Sequence, residues 1–509
     1  MNKLSNQALV IFGASGDLTY RKLIPSVFDL FMNESLPEGY AILGVSRTDF
    51  TDVKFRNRLK KGVKKFAHYK DAKKEKIDEF LSKIFYLSID TENGEEYSKV
   101  KEKLEKLNKS YKLSQNYIFY LSTPPTLYSI IPKFLYGQGL TNQQKGFRRI
   151  IIEKPFGHDL QSAIDLNEQL LEFFEESQIY RIDHYLGKET VQNMIVTRFA
   201  NGIYEPLWNR NYIQHVEITT SESIGVEDRG GYFDEAGSLR DMIQNHLLQV
   251  LSLVAMEPPL KITTDDIRYE KLKVLRSLRP FSKNDLKKNV IRGQYTDATV
   301  KGKHIIGYRD EKDVDPLSRT ETYAAMKIFI DNWRWEGVPF YIRTGKRLPT
   351  TVSEVVIHFR PSPQKLFKQE DDSTHSDNQL ILRIQPDEGI LLKTGMKVPG
   401  NGYDVKTVNM DFHYSELNDH YIQSAYERLI LDCMQGDNML YTQGEAVIET
   451  WKFVQPVLDY WENDESALLH GYPSGSWGPD IADDLIEGKN STWRYPCKNL
   501  AEDGVYCEL

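Results

Sequence analysis

The stretch ALVIFGASGDL, residues 8–18, decides the fold of the first part of the chain. Five apolar residues predict a buried strand, and a turn with Gly13 and Gly16 follows it directly. The next residues, 21–31, have a helical pattern. In such a strand–turn–helix unit, a pyrophosphate binds at the helix N-terminus, where glycine lets the backbone approach it and free N–H groups favour negative charge. Leu18 stands where the usual fingerprint has a third glycine, so the string alone also fits an ordinary tight turn.

The same strand-and-helix alternation continues beyond this unit. Apolar runs predict strands at residues 8–12, 41–46, 84–89, 117–122 and 148–153, and polar helical patterns lie between them, as at 54–65 and 95–107. Near-continuous apolar strands that alternate with helices predict a parallel sheet covered on both faces. We therefore expect a Rossmann-type, doubly wound dinucleotide-binding domain over residues 1–182.

After about Ile182 the pattern changes. Helical patterns occupy residues 190–201 and 237–254, and strand-like runs follow. Two of these runs, at 355–359 and 380–384, look like antiparallel neighbours of a larger sheet. A helical pattern covers 425–461, and YPSGSWGP, residues 472–479, is typical of a surface loop. We expect a second domain over residues 183–509, of the α+β class, with a mostly antiparallel sheet covered by helices.

Bulk properties limit the function. The chain has 509 residues and a formal net charge of −8, so it has no global field that would attract nucleic acid or an anionic membrane. An anionic ligand needs local positive charge. The 3 cysteines show no metal-ligand spacing, so we predict no metal site and a reducing compartment. The N-terminus does not read as a signal peptide, and no apolar run suits a membrane helix, so we expect a cytoplasmic protein.

The second predicted strand ends in GVSRTDF, where an acid often holds the ribose hydroxyls of NAD. Here Arg47 follows Ser46, and a guanidinium can pair with the 2′-phosphate of NADP. Asp49 lies close behind, and an ordinary surface arginine is the alternative. Asp90, after the third strand, and Tyr120, in the fourth, are further cofactor candidates. The predicted cofactor residues are Gly13, Ser15, Gly16, Asp17, Leu18, Arg47, Asp90, Tyr120 and Lys154.

Two motifs lie where parallel strands end, which is where ligands bind in such sheets. In EKPFG, residues 153–157, Lys154 is placed to reach both nicotinamide and substrate, and Pro155 suits a cis bond. The alternative is a strand that ends at a proline with a solvent-exposed lysine. In RIDHYLGKE, residues 181–189, an imidazole, a phenol and an ammonium suit a phosphate. A polar helix start capped by Asp183 is the alternative reading.

The helical pattern at 237–254 carries Asp241 and His246. Five residues separate them, which places them about 140° apart on an α-helix, so they would not share one face. A single histidine before an apolar stretch is usually a core or capping residue. Periodicity alone therefore assigns His246 no chemistry.

Taken together, the motifs resemble one enzyme family. GASGDL, EKPFG, RIDHYLGKE, RGGYFDEAGSLRDMIQNHLLQ and FYIRTGKRLP occur in the order seen in glucose-6-phosphate dehydrogenases. With YPSGSWGP the resemblance covers nearly the whole chain, and RIDHYLGKE is its most specific part. It implies oxidation of glucose 6-phosphate to 6-phosphogluconolactone with hydride transfer to NADP, the first step of the oxidative pentose phosphate pathway.

The resemblance also assigns roles. It makes His246 the general base that takes the proton of the anomeric hydroxyl, with Asp183 as the carboxylate that orients the imidazole. It implies a homodimer or homotetramer and leaves open both the use of NAD beside NADP and a second, structural NADP. The residues that it implies for substrate binding are Lys154 together with the phosphate ligands His184, Tyr185 and Lys188, the hydroxyl ligands Glu222 and Asp241, and Lys346.

One position departs from the family. Many members carry a basic residue five positions after the lysine of TGKRLP, and this chain has Thr351 there. We expect weaker charge anchoring at that edge of the substrate, with activity kept, and Arg347 is a candidate to compensate. Two alternatives are another NAD(P)-dependent sugar oxidoreductase with a Glu-Lys-Pro turn and a non-catalytic NADP-binding protein. The first would lack RIDHYLGKE together with MIQNHLLQ, and the second would have lost His246, Asp183 or Lys154.

Overall fold

The computed structural model describes residues 4–300, 302–364, 366–367, 378–400, 402–416, 421, 423–488 and 492–496. Cys497 and Cys507 lie outside these ranges, and Cys433 is buried with a free thiol. Within the described part of the chain, no helix combines the length and apolar character needed to cross a bilayer.

The helices and strands have the following bounds. The strands in chain order are β1 (Gln7–Phe12), β2 (Tyr40–Ser46), β3 (Ile84–Ser88), β4 (Tyr117–Leu121), β5 (Arg148–Ile152), β6 (Ile179–Arg181), β7 (Ile213–Ser221), β8 (Val290–Thr296), β9 (Ala298–Val300), β10 (Lys303–Ile305), β11 (Tyr323–Ile328), β12 (Phe340–Gly345), β13 (Val352–Phe359), β14 (Gln379–Gln385), β15 (Gly389–Lys397), β16 (Val405–His413) and β17 (His470–Pro473). The helices are α1 (Ile24–Met32), α2 (Asp52–Phe66), α3 (Lys74–Ser82), α4 (Tyr97–Tyr111), α5 (Ile130–Gly137), α6 (Leu160–Leu171), α7 (Glu189–Phe199), α8 (Gly230–Ser238), α9 (Leu248–Ala255), α10 (Thr264–Arg276), α11 (Lys283–Lys288), α12 (Ala425–Gln435) and α13 (Gly444–Asn463).

The chain forms two compact units. The first comprises Met1–Lys188, Lys261–Arg268 and Ile422–Ile448, and the second comprises Glu189–Leu260, Tyr269–Tyr421 and Glu449–Leu509. Late residues belong to the first unit because α12 packs against α1. Arg149 of β5 also donates a hydrogen bond of 3.0 Å to the carbonyl of Met434 at the end of α12. The predicted division after residue 182 follows the chain and does not include such returning segments, and it stays a prediction.

The first unit contains a six-stranded sheet in the order β3-β2-β1-β4-β5-β6, in which every pair is parallel. All residues of β1 and β2 are buried. When helices cover both faces of a sheet, its strands have no exposed face. The predicted doubly wound parallel sheet is thus confirmed, with its five apolar runs as β1 to β5.

The second unit contains a nine-stranded sheet in the order β16-β15-β14-β13-β7-β12-β11-β8-β17. Most neighbours are antiparallel, but β7 with β12 and β8 with β17 are parallel. The predicted antiparallel pair is present, with Val356 of β13 opposite Ile381 of β14. Helix α7 packs against β14 within this unit. The predicted class, a mostly antiparallel sheet covered by helices, is confirmed.

Three sequence-based details are wrong. The helical pattern at 425–461 is two helices, α12 and α13, because Gly436 has a φ of +87° and ends α12. The pattern at 237–254 becomes helical only at Leu239, since Gly237 has non-helical angles. YPSGSWGP does not begin as a surface loop: Tyr472 lies in β17, is fully buried, and donates a hydrogen bond of 2.7 Å to the carbonyl of Lys346.

A half-buried glutamate joins the carboxyl ends of two strands in the first unit. Glu153 follows β5, and the hydroxyl of Tyr120 in β4 donates a hydrogen bond of 2.5 Å to its Oε1. Tyr426 of α12 donates a second hydrogen bond to the same carboxyl. Burial raises the pKa of Glu153, while the two phenols and the charge of Lys154 lower it to a smaller extent. The pKa of this carboxyl is therefore higher in the native state than in the unfolded chain.

We predict that Gly13→Ala lowers the stability of the protein. Gly13 has a φ of +77°, and an added Cβ would lie 2.0 Å from the carbonyl oxygen of Ser122. The left-handed backbone alone costs about 1–2 kcal/mol, and the clash adds to it. The urea midpoint should fall clearly, whereas Gly137→Ala, whose Cβ meets nothing within 4 Å, should leave it unchanged or raise it slightly. Equal midpoints for both variants would contradict this account.

We also predict how pH acts through Glu153. A raised folded-state pKa stabilises the protein below the unfolded pKa of about 4.3, and this stabilisation is lost as the pH rises through the folded-state value. The urea midpoint of the parent chain should therefore fall relative to that of Glu153→Gln as the pH rises from about 4.5 towards neutrality. The exposed Glu102 supplies the control, since Glu102→Gln should track the parent chain. A parent midpoint that rises relative to Glu153→Gln would reverse the sign and contradict the argument.

Candidate active site

The glycine turn at the end of β1 is held tightly against the first sheet. The N–H of Gly13 donates a hydrogen bond of 2.9 Å to the carbonyl of Val45, and that of Gly16 donates one of 2.9 Å to the carbonyl of Gly13. A Cβ added to Gly44 in β2 would lie 2.8 Å from the Cβ of Ala14. A π-helical turn, Thr19–Leu23, and then α1 follow. The backbone is thus arranged for close approach by a phosphate at a helix start.

Hydroxyl groups and one arginine lie beside this turn. The Oγ atoms of Ser15 and Ser46 are 2.7 Å apart, and Thr48 donates a hydrogen bond of 2.9 Å to the Oγ of Ser15. Arg47 lies between Ser46, the last residue of β2, and Thr48, and it is exposed. Among the described residues, no acid lies within ion-pair distance of its guanidinium. The guanidinium and these hydroxyl groups fit the 2′-phosphate of NADP. Ser46 and Thr48, which flank Arg47 in the stretch SRT, were not singled out from the sequence.

Three other predicted cofactor residues have contacts inside the protein. Asp17 is exposed and forms an ion pair of 3.5 Å with Arg21, one turn further along the chain. Asp90 is exposed after β3 and accepts a hydrogen bond of 3.1 Å from the N–H of Glu92, which shapes the turn there. Tyr120 has no exposed surface, and its hydroxyl is bonded to Glu153. The cofactor role of these residues stays a prediction.

EKPFG follows β5 as expected. The Lys154–Pro155 peptide bond is cis, as Pro155 suggested, and the Lys154 side chain is half-buried. Gly157 has a φ of +81°, and a Cβ there would lie 2.6 Å from the backbone nitrogen of Ala163 in α6. The turn therefore brings the start of α6 close to the end of β5.

RIDHYLGKE forms a turn between β6 and α7. The N–H of Tyr185 donates a hydrogen bond of 2.9 Å to Oδ1 of Asp183, and that of Lys188 donates one of 3.1 Å to the carbonyl of Tyr185. The ammonium of Lys188 lies 4.2 Å from the ring centre of Tyr185, whose ring lies 5.2 Å from that of His184. Asp183 caps this turn and not the helix, which begins at Glu189. The three predicted phosphate ligands thus lie together.

A glycine that the sequence did not single out lets this turn pack closely against α12. A Cβ added to Gly187 would lie 2.9 Å from the carbonyl oxygen of Ala425 at the start of α12. The contact fixes the turn against the helix. The sequence indicates this contact only through the presence of a glycine inside RIDHYLGKE.

In the second unit, strand register brings Glu222 and Lys346 together. β7 and β12 are parallel, and Ser221 lies opposite Gly345, so the next residue of each strand emerges at the same edge. The Lys346 ammonium forms an ion pair with the Glu222 carboxylate and lies 4.9 Å from the ring centre of Phe233. The pair offers donors and acceptors side by side, which suits sugar hydroxyls.

Asp241 and His246 lie on a π-helix, Leu239–Leu247, and not on an α-helix. A π-helix bonds residue i to residue i+5, so the fifth residue returns to about the same side of the helix. The expectation that the two cannot share a face is therefore wrong. Both are buried, and the hydroxyl of Tyr232 donates a hydrogen bond of 3.5 Å to Asp241. π-Helical turns are frequent at functional sites.

Glu321 holds the start of this π-helix, a role that no sequence pattern indicated. Its carboxylate accepts a hydrogen bond of 2.9 Å from the N–H of Leu239, and its backbone carbonyl accepts one of 3.0 Å from Ser238. A Cβ on Gly237 would lie 2.4 Å from the same carboxylate. Burial raises the pKa of Glu321, and the bond from Leu239 opposes that shift. Glycine and glutamate together fix where the helix begins.

Thr351, the position that departs from the family, is exposed and bonded to Ser223. Its Oγ1 accepts a hydrogen bond of 3.0 Å from the N–H of Ser223. Arg347 forms an ion pair of 3.1 Å with Glu311, so its guanidinium is already engaged. The structure thus gives Arg347 a partner inside the protein, and its compensating role stays a prediction.

Comparisons with known proteins identify two domains of one family along the chain. Residues 10–193 match the model of the glucose-6-phosphate dehydrogenase NAD binding domain, and residues 195–494 match that of the C-terminal domain of the same family. Glucose-6-phosphate 1-dehydrogenase of Aggregatibacter actinomycetemcomitans is 49% identical over 494 residues, covering 97% of this chain and 98% of the relative. That of Treponema pallidum is 50% identical over 502 residues, covering 98% and 97%.

Solved structures agree as well. A glucose-6-phosphate dehydrogenase in complex with its substrate glucose 6-phosphate superposes with a TM-score of 0.88 at 36% identity, covering 97% of this chain and 100% of that one. Glucose-6-phosphate 1-dehydrogenase from Mycobacterium avium gives a TM-score of 0.82 at 35% identity, with coverage of 97% and 99%. Both domain models, the relatives and these folds point the same way, and the chain belongs to the glucose-6-phosphate dehydrogenase family.

Proposed function

We propose that this chain oxidises glucose 6-phosphate to 6-phosphogluconolactone and reduces NADP, as the first step of the oxidative pentose phosphate pathway. The observation that carries the proposal is the match of residues 10–193 and 195–494 to the two domains of one dehydrogenase family. A different sugar oxidoreductase is not favoured, because relatives of about 50% identity along the whole chain bear the name of this single enzyme.

The first unit fits the cofactor. Gly13 leaves space that a Cβ would fill, and Arg47 offers a guanidinium without an acidic partner among the described residues. Bound NADP would supply the acceptor for the hydride that leaves the anomeric carbon of the sugar. Arg47 with the hydroxyls of Ser15 and Thr48 binds the 2′-phosphate, and the turn at Gly13 and Gly16 admits the pyrophosphate. Lys154 orients the reacting end of the substrate.

The remaining residues bind and deprotonate the sugar. His184, Tyr185 and Lys188 hold the 6-phosphate through charge-assisted hydrogen bonds. Glu222, Asp241 and Lys346 bind hydroxyl groups. His246 accepts the proton of the anomeric hydroxyl as the C–H bond breaks, and the oxygen becomes the carbonyl of the lactone. From the family resemblance, we assign Asp183 as the carboxylate that orients the imidazole of His246.

From the same resemblance we propose a homodimer or homotetramer in the cytoplasm. β16 is an edge strand of the second sheet, and Met410 on it and Met396 on β15 are about half exposed, which suits further contact at that edge. Light scattering of the purified chain gives its mass, and a monomer at micromolar concentration would contradict the proposal.

One assay tests the activity itself. Purified protein is mixed with NADP and glucose 6-phosphate, and the absorbance of NADPH is followed. The proposal expects a steady rise that depends on both compounds. A flat trace from protein that still binds NADP would exclude the enzyme and favour a non-catalytic NADP-binding protein.

We predict that His246→Asn loses turnover and keeps substrate affinity. A positioned general base contributes about 10²–10⁴-fold in rate, so kcat should fall by about that factor while KM changes little. His304→Asn alters an exposed histidine on β10 and should behave like the parent chain. If His246→Asn keeps more than about a tenth of the parent kcat, another group is the base.

Arg47→Ala should shift the preference between cofactors. Hydrogen bonds to charged groups contribute about 1.5–3 kcal/mol, so kcat/KM for NADP should fall by roughly 10- to 100-fold while that for NAD stays nearly constant. Lys61→Ala, on the exposed face of α2, controls for a general loss of positive charge. A similar loss for NADP and NAD would show that Arg47 does not read the 2′-phosphate.

A further inference from the structure

Three buried residues with metal-binding side chains lie together on the second sheet. His358 of β13 lies directly opposite His215 of β7, and Glu217 follows two positions along β7, on the same face. Their exposed fractions are 5% for His215, 1% for Glu217 and 6% for His358. The catalytic proposal uses none of them.

The side chains meet at one point. Oε1 of Glu217 lies 2.7 Å from Nε2 of His358 and 3.6 Å from Nε2 of His215. One ligand atom of each of the three residues falls within 4.8 Å of the other two. A tetrahedral Zn²⁺ with bonds of about 2.0–2.2 Å separates its ligand atoms by roughly 3.3–3.6 Å. The Glu217–His215 distance already fits, and the Glu217–His358 distance needs to open by less than about 1 Å. The two imidazole rings, whose centres lie 3.9 Å apart, also need to turn so that both Nε2 atoms point at one ion.

Two neighbours orient these ligands as outer groups do in metal sites. The backbone N–H of Arg494 donates a hydrogen bond of 2.9 Å to Oε2 of Glu217, which leaves Oε1 directed at the imidazoles. The amide of Gln379, opposite His358 on β14, lies 3.4 Å from its Nδ1. In the flipped orientation of that amide, its oxygen accepts a hydrogen bond from Nδ1–H, and this tautomer leaves Nε2 unprotonated as a metal ligand.

Charge also favours a cation. Within the described part of the chain, Glu217 forms ion pairs with the two histidines alone, whereas the nearby Glu354 pairs with the guanidinium of Arg494 at 2.9 Å. The rings of His215 and His358 stack 3.9 Å apart at 20°, so two cationic imidazoles would repel each other. One protonated imidazole or a divalent cation balances the Glu217 carboxylate, and the cation leaves both rings neutral.

We propose that His215, Glu217 and His358 form a structural Zn²⁺ site that joins β7 to β13. Nitrogen ligands exclude Mg²⁺ and Ca²⁺, which prefer oxygen, and two imidazoles with one carboxylate suit Zn²⁺. A water molecule completes four-coordination. Through Arg494, the site also fixes residues 492–496 on the sheet. The sequence predicted no metal site because only the spacing of the cysteines was considered. The three ligands proposed here lie on β7 and β13, which are far apart in the chain.

The test uses the full chain freed of metal by a chelator. Calorimetric titration with ZnCl₂ should give one site per chain with a dissociation constant in the micromolar range or tighter. Zinc in excess should raise the thermal midpoint by a few degrees. Glu217→Gln and His358→Gln should each weaken binding by at least tenfold and remove the shift. His304→Gln, on exposed β10, should bind zinc like the parent chain.

A second measurement separates this site from His246 and protects against misfolded variants. Co²⁺ added to the metal-free parent chain should give the intense visible absorption of a tetrahedral site, and His246→Asn should keep it. No zinc uptake, or uptake that Glu217→Gln leaves intact, would overturn the proposal. Loss of the Co²⁺ signal in His246→Asn would also overturn it, and so would a thermal midpoint that responds to pH and not to zinc, since protons alone then fill the cluster.

Discussion

The close contact between the Gly13 turn and its neighbouring strands is the constraint on which the first unit depends. The turn bonds to the backbone of Val45 on one side, and a Cβ would strike the carbonyl of Ser122 on the other. Because the residue directly after β1 has no side chain, the backbone there can lie close to the ends of both β2 and β4. The turn lies at the carboxyl edge of the sheet, which is where a dinucleotide binds in sheets of this type.

The second unit reaches its site by register. Parallel pairing of β7 with β12 sets Ser221 beside Gly345, and so sets Glu222 beside Lys346. The neighbouring π-helix packs against β12, which brings a second pair of functional groups to the same strand. Neither arrangement needs a long loop. The groups are fixed by buried backbone, which loses little entropy when a ligand binds.

Local patterns predicted the strands of the first sheet well, because fully buried strands have continuous apolar runs. Patterns failed where a distant contact decides the backbone. Glu321 bonds to Leu239 and sets a π-helix, which changes the side that His246 faces relative to Asp241. Tyr472 looked like part of a loop because glycine and proline surround it, yet pairing with β8 buries it. No window of sequence contains these partners.

The positive groups of the candidate site differ in how their charge is used. Lys346 is paired with Glu222, so the pair has little net charge and suits neutral hydroxyl groups. Arg47 has no acid within ion-pair distance among the described residues, so its full charge acts on a ligand, as a phosphate dianion requires. In a chain with a net charge of −8, such local differences decide where an anion binds. The position of acids around each cation therefore carries more functional information than the cations themselves.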